Sequence, residues 1–190
     1  MTLSSIEPRL VFNPKILGKK EATMTQTPPQ QHFDAVASIM QDVKFAMLTT
    51  ITAEGHLHAC PMTTNHIDLP AREIWFIGDK TTETVKDIQN NVQVNLSYTS
   101  KDHKDYVSIN GHAELINDTD KLDELWSPMY SAFFEHGKED VNVQLIKVVP
   151  NGAEYWLSGS DVVNFFKMTA AAVTGGKIAD SLGENSAFSF

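Results

Sequence analysis

Cysteine is nearly absent: Cys60 is the only one in 190 residues. No internal disulfide can form, which excludes the stapled scaffolds of small secreted proteins and fits a reducing, cytoplasmic setting. Positive charge is scarce as well. Fifteen lysines and arginines stand against 24 aspartates and glutamates, a net charge of −9. A general nucleic-acid binder neutralises phosphates with a basic face, so the balance argues against that class. No apolar run approaches the ~20 residues of a membrane span. Neither G-x-G-x-x-G nor G-x-x-x-x-G-K-[ST] occurs, which leaves Rossmann and P-loop readings without support. There is also no G-x-S-x-G elbow, and Cys60 carries no local nucleophile signature.

What is present is a globular composition, 42% hydrophobic and 21% charged, enough to bury one core. The first 31 residues differ, with Pro8, Pro14, Pro28, Pro29 and scattered lysines but no sustained period. They read as a flexible tail in which Met24 is a possible start. The ordered domain is expected over 32–177, followed by a tail over 178–190.

Within the domain, Phe33, Val36, Ala37 and Met40 fall at helical spacing. Phe45 to Ile51 and His56 to Thr63 read as a hairpin about Ala53-Glu54-Gly55. A polar stretch through Asp68 and Arg72 leads to a strand from Glu73 to Gly78. Thr81 and Thr82 offer N-cap hydroxyls to a helix ending at Asn90-Asn91. Val92 to Tyr98 alternates as a half-buried strand, and Tyr106 to Ile116 is a strand whose Gly111 marks a bulge. Asp118 caps a helix bearing Leu122, Leu125, Trp126 and Met129. Val141 to Val149 and Ala153 to Leu157 read as a pair of strands about Pro150-Asn151-Gly152, and Val162 to Val173 as a helix stopped by Gly175-Gly176. About six strands with helices in the gaps, mostly joined by short turns, favour an antiparallel sheet closed on itself over a parallel one.

His56, His58 and Cys60 recur at every second position of a strand. Their spacing of ~6.5 Å is long for ligands of one ion, so the reading taken is a polar strand face rather than a metal site. His112 and His136 lack any neighbouring pattern. The aromatic residues Trp75-Phe76, Tyr98, Trp126, Phe133-Phe134, Tyr155-Trp156 and Phe165-Phe166 admit two readings: core and dimer packing, or a flat pocket for a planar ligand.

The blocks Phe45–Thr50, Glu54-Gly55 and His58-Ala59-Cys60-Pro61-Met62 resemble the opening hairpin of the pyridoxamine 5′-phosphate oxidase-like flavin proteins. Ile74-Trp75-Phe76, Val94–Tyr98, Tyr106–Leu115, Glu124–Pro128, Ala153–Trp156 and Phe166-Lys167-Met168 continue the resemblance in order, to about Lys177. The general stress protein 26 branch is the most similar. The resemblance implies a mainly β fold with peripheral helices, a six-stranded antiparallel split β-barrel that forms a homodimer with FMN at the subunit interface. The family's Arg-Pro-Met motif maps onto Cys60-Pro61-Met62 and the following Thr63. Its Phe-x-Thr and Ser-x-Lys segments map onto Phe76-Ile77-Gly78 and Thr82-Glu83-Thr84, with Lys80 and Lys86 flanking.

Cys60 therefore stands where the family often has Arg, and Thr84 where it often has Lys. A phosphate dianion is held best by such cations, so their replacement weakens the phosphate site. The Trp-Arg-Leu ending of true pyridoxine-phosphate oxidases is missing, since Leu157-Ser158-Gly159 follows Trp156. The expectation is a cytoplasmic FMN-binding protein of general stress type, acting as an oxidoreductase through flavin N5 with small-molecule donor and acceptor. No residue is expected to act as a separate acid or base. The alternatives are a flavin carrier or sensor without turnover, and a barrel that has lost FMN.

Overall fold

A computed structural model of the chain describes residues 29–102, 104–157 and 184–190. Helix α1 spans Pro29–Val43, with proline at its first position, where the missing N–H is no loss. It begins within the expected amino-terminal tail, three residues before the expected start of the domain at residue 32. Val36 and Met40 on its inner face are fully buried. Lys44 follows in the left-handed region (φ 64°), its N–H bonded to Met40 O at 3.0 Å, and turns the chain directly into the sheet.

Strands β1 (Phe45–Ile51) and β2 (Leu57–Asp68) form the expected hairpin, in register from Ile51↔Leu57 to Phe45↔Thr63. Gly55 takes φ 84° in the turn. His56 belongs to that turn, its carbonyl accepting Thr52 N–H at 2.8 Å, so it does not share the strand face of His58 and Cys60. β2 runs past the expected end at Thr63 because its second half pairs with β3 (Glu73–Asp79), after a register shift between Thr64 and His66.

Helix α2 (Glu83–Asn90), β4 (Gln93–Thr99) and β5 (Tyr106–Ile116) come next, followed by α3 (Thr119–Leu125). Asp118 caps α3 by accepting Lys121 N–H at 2.9 Å. Pro128 ends the helical pattern early, and Met129 falls instead in a separate turn of 3₁₀ helix, Pro128–Ala132.

The expected pair of strands about Pro150 is one strand, β6, spanning Val143–Leu157. Pro150 sits opposite Gly111, where the β5–β6 register slips between Asn110 and Gly111. At such a bulge the absent proline N–H costs no ladder bond. Arg72 binds Pro150 O from the side, at 2.7 and 3.1 Å.

The first half of β6 also pairs with β3, from Ile74↔Val148 to Asp79↔Val143, which closes the six strands into an antiparallel barrel. The fold class is thus the mainly β barrel expected. The second half of β6 instead takes β7, Glu184–Ser189, from Gly152↔Ser189 onward. The expectation of a tail over 178–190 fails for these residues. Phe188 stacks on His32 (5.1 Å) and Phe190 on Phe33 (5.3 Å), and those contacts tie β7 to α1. The expected helix Val162–Val173 and its Gly175-Gly176 stop lie outside the described residues. Among the described residues no helix is long and apolar enough to cross a membrane.

The barrel core packs Leu48, Phe76, Leu96, Ile109 and Ile146 under α1 and α2. Burial pushes the Tyr98 phenol well above its usual range, against the opposing effect of a 2.9 Å hydrogen bond with Thr64 Oγ1. Trp75 and Ile77, on the other face of β3, pack with Tyr130 and Phe134 in a second cluster.

Gly111 has a steric reason to be glycine. A Cβ there meets Val149 O, backbone of the paired strand, at 2.4 Å. Gly111→Ala therefore lowers stability by about 1–3 kcal/mol, seen as a lower urea midpoint. An unchanged midpoint contradicts the close approach.

Candidate functional site

The alternation of β2 sends His58, Cys60 and Met62 toward α2, while Leu57, Ala59 and Pro61 face outward. α2 meets them because its sequence is amphipathic: Thr84, Val85, Asp87 and Ile88 are buried. Its start is fixed by a tight turn. Asp79 Oδ1 accepts both N–H and Oγ1–H of Thr81 at 2.7 Å, and Thr82 is the N-cap, its hydroxyl facing Val85 N at 3.5 Å. The opening amides of a helix lack intrahelical acceptors, so this end of α2 is a donor-rich edge.

Between β2, the end of β3 and the start of α2 lies an open cavity of about 540 Å³. Its floor is apolar, made by Met62, Val85 and Ile146 around Gly78. A Cβ at Gly78 meets Ile146 Cδ1 at 3.0 Å and Met62 Cε at 3.5 Å, so glycine keeps this floor open. The hydroxyls of Thr81, Thr82 and Thr84 line one side, and Asp79 and Glu83 stand at the rim.

Six of the expected site residues meet here: Cys60, Pro61, Met62, Gly78, Thr82 and Thr84. The other five do not line the cavity. Thr63 lies further along β2 opposite Phe45, Phe76 is fully buried in the barrel core, and Ile77 packs in the second cluster. Lys80 Nζ donates to Val141 O at 2.8 Å, and Lys86 Nζ pairs with Glu83 Oε1 at 2.8 Å. Among the described residues no lysine or arginine lines the cavity. Cys60 Sγ and Thr84 Oγ1 are 3.0 Å apart, so the two positions where the resemblance places cations touch and satisfy one another.

A further group joins three elements at the same wall. Asp87, 4% exposed, accepts Thr50 Oγ1–H at 2.7 Å and lies 2.9 Å from His58 Nδ1, all on Oδ2. An ionised carboxylate only accepts, so His58 Nδ1 donates to it, and His58 itself lines the cavity. Sequence reasoning placed His58 with Cys60 on one strand face but missed Asp87 and Thr50. The three-residue step from Thr84 to Asp87 along α2, which puts both on one helix face, is the signal that was available. Among the described residues no cluster of three or more His, Cys, Asp or Glu is arranged to hold a metal ion.

Six antiparallel strands closed on themselves, with a cavity between the second and third strands and the following helix, define the class as a mainly β barrel. A family model described as pyridoxamine 5′-phosphate oxidase like matches residues 31–180, and the chain belongs to that family. It is 25% identical over 170 residues to protein bli-3 of Neurospora crassa, covering 84% of this chain and 81% of that one. It is 29% identical over 118 residues to general stress protein 26 of Bacillus subtilis, covering 60% and 81%. Among solved structures, the general stress FMN/FAD binding protein of Xanthomonas citri superposes with a TM-score of 0.61 at 26% identity, covering 70% of this chain and 92% of that one.

The residues present fit a flavin in part by each portion of the molecule. The apolar floor suits a planar ring, and the threonine hydroxyls suit a polyol chain. For a phosphate the wall offers hydroxyls, helix amides and one imidazole.

Proposed function

We propose that this chain is a homodimeric FMN-binding split barrel of general stress type, working as a flavin-dependent oxidoreductase with a small-molecule donor and acceptor. The observation that carries the reading is the cavity itself: it lies where the family's flavin motifs map, on Cys60-Pro61-Met62, Gly78 and Thr82–Thr84. When bound, the flavin supplies hydride transfer at its N5, and the protein's part is orientation and hydrogen bonding. Met62, Val85 and Ile146 exclude water from one side of the ring, while Thr82 and Thr84 hold the polar chain. No other acid or base is needed. The test is titration of the protein with FMN and riboflavin, followed by quenching of flavin fluorescence. Saturation at one flavin per chain supports the reading, and no quenching with either flavin overturns it.

The dimer is supported by an uncovered apolar face beside the cavity. Phe45, Met47 and Leu57 are 57%, 43% and 78% exposed on the outer face of β1 and β2. Met47 pairs across the hairpin with Pro61, which also lines the cavity. A second copy seated there closes the open side of the cavity. Met47→Lys places a like charge on each copy across a twofold contact. It shifts the sedimenting species to the mass of one chain and leaves the urea midpoint of the monomer unchanged. A dimer that survives the substitution contradicts this placement.

The direct contact of Cys60 with Thr84 favours a second reading, a barrel that keeps the dimer and lacks FMN. The same titration decides between them.

A further inference from the structure

Among the described residues no lysine or arginine lines the cavity, yet the FMN proposed above carries a phosphate. His58 lines it. The ring is held by Asp87, a buried carboxylate, and Thr50 fixes that carboxylate in turn at 2.7 Å. His58 Nε2 has no partner among the described residues, and the side chain is 37% exposed.

We propose that His58, oriented by Asp87, binds the 5′-phosphate of FMN in place of the arginine and lysine that Cys60 and Thr84 replace. The inference rests on the flavin reading above and specifies which of this chain's residues takes the anionic end. In that arrangement Nδ1–H stays on Asp87 and Nε2 shares a proton with a phosphate oxygen at the donor-rich start of α2.

α2 contributes Asp87, Glu83 and Lys86 to the surroundings of the imidazole, the end of β3 contributes Asp79, and the turn after β1 contributes Glu54. Glu83 is paired with Lys86, Asp79 is engaged by Thr81, and Glu54 by Thr52 at 2.8 Å. Asp87 is the carboxylate in direct contact with the ring, and its bond to Nδ1 fixes the ring's orientation. Riboflavin has no phosphate and cannot make the His58 contact.

The experiment is fluorescence titration of the wild-type chain and His58→Gln with FMN and with riboflavin. Glutamine retains a donor for Asp87 and lacks the second ring nitrogen. The expected result is an FMN affinity about tenfold or more lower in His58→Gln than in the wild type, with riboflavin affinity unchanged. FMN binding that ignores the substitution, or an equal loss for riboflavin, overturns the role of His58 and leaves the flavin reading standing. Failure of the wild type to bind FMN and riboflavin alike overturns the flavin reading and this inference with it.

Discussion

Cys60→Arg combined with Thr84→Lys raises FMN affinity by about two orders of magnitude or more. Each restored hydrogen bond to a charged group is worth about 1.5–3 kcal/mol, and each ~1.4 kcal/mol is tenfold in affinity. The geometry favours the pair acting together. Sγ of Cys60 and Oγ1 of Thr84 lie 3.0 Å apart, so longer cationic side chains from the same two positions converge on one anion. Asp79 and Glu83 at the rim offset their mutual repulsion when no ligand is bound. Riboflavin is the control, because a gain confined to FMN reports on the phosphate alone. Equal gains for both flavins, or none for either, contradict the assignment of the phosphate to this wall.

Phe76→Ala costs about 3–5 kcal/mol of folding stability, a large part of the roughly 5–15 kcal/mol typical of a domain. Phe76 is fully buried and pairs with Thr64 of β2 on one side and Ile146 of β6 on the other, at the seam that closes the barrel. Its side chain is packed in the barrel core and does not line the cavity that Gly78 borders. Urea unfolding reads the loss as a lower midpoint. A protein that retains its midpoint but loses flavin places Phe76 at the ligand instead.

Much of the barrel was legible because its signals are local. Gly55 marks the first hairpin, the alternation of Val94, Leu96 and Tyr98 marks β4, and Thr82 and Asp118 mark their helices by capping. The failures are places where a distant strand decides. Pro150-Asn151-Gly152 carries strong turn chemistry, yet β5 brings its own bulge at Gly111 opposite the proline and keeps β6 continuous. Residues 184–189 have few apolar side chains and read as a tail. They become β7 because β3 leaves β6 after Val148 and opens an edge, and because α1 presents His32 and Phe33 to Phe188 and Phe190.

The site divides in the same way. Cys60, Pro61, Met62, Gly78, Thr82 and Thr84 lie in contiguous motifs that the family resemblance identifies residue by residue. The group Thr50–Asp87–His58 draws one residue each from β1, α2 and β2, and along the chain only the three-residue step from Thr84 to Asp87 points toward it. Phe76 and Ile77 belong to the same motif as Gly78 but serve the two hydrophobic clusters. A family motif marks a stretch of strand, and alternation then sends successive side chains to different faces.

The most direct test of flavin binding at the β2–β3–α2 cavity is the visible absorption spectrum of the purified, desalted chain, with mass analysis of whatever ligand denaturation releases. The expected result is a flavin band at one flavin per chain, the released ligand having the mass of FMN. A colourless protein that stays colourless after incubation with FMN and desalting contradicts it.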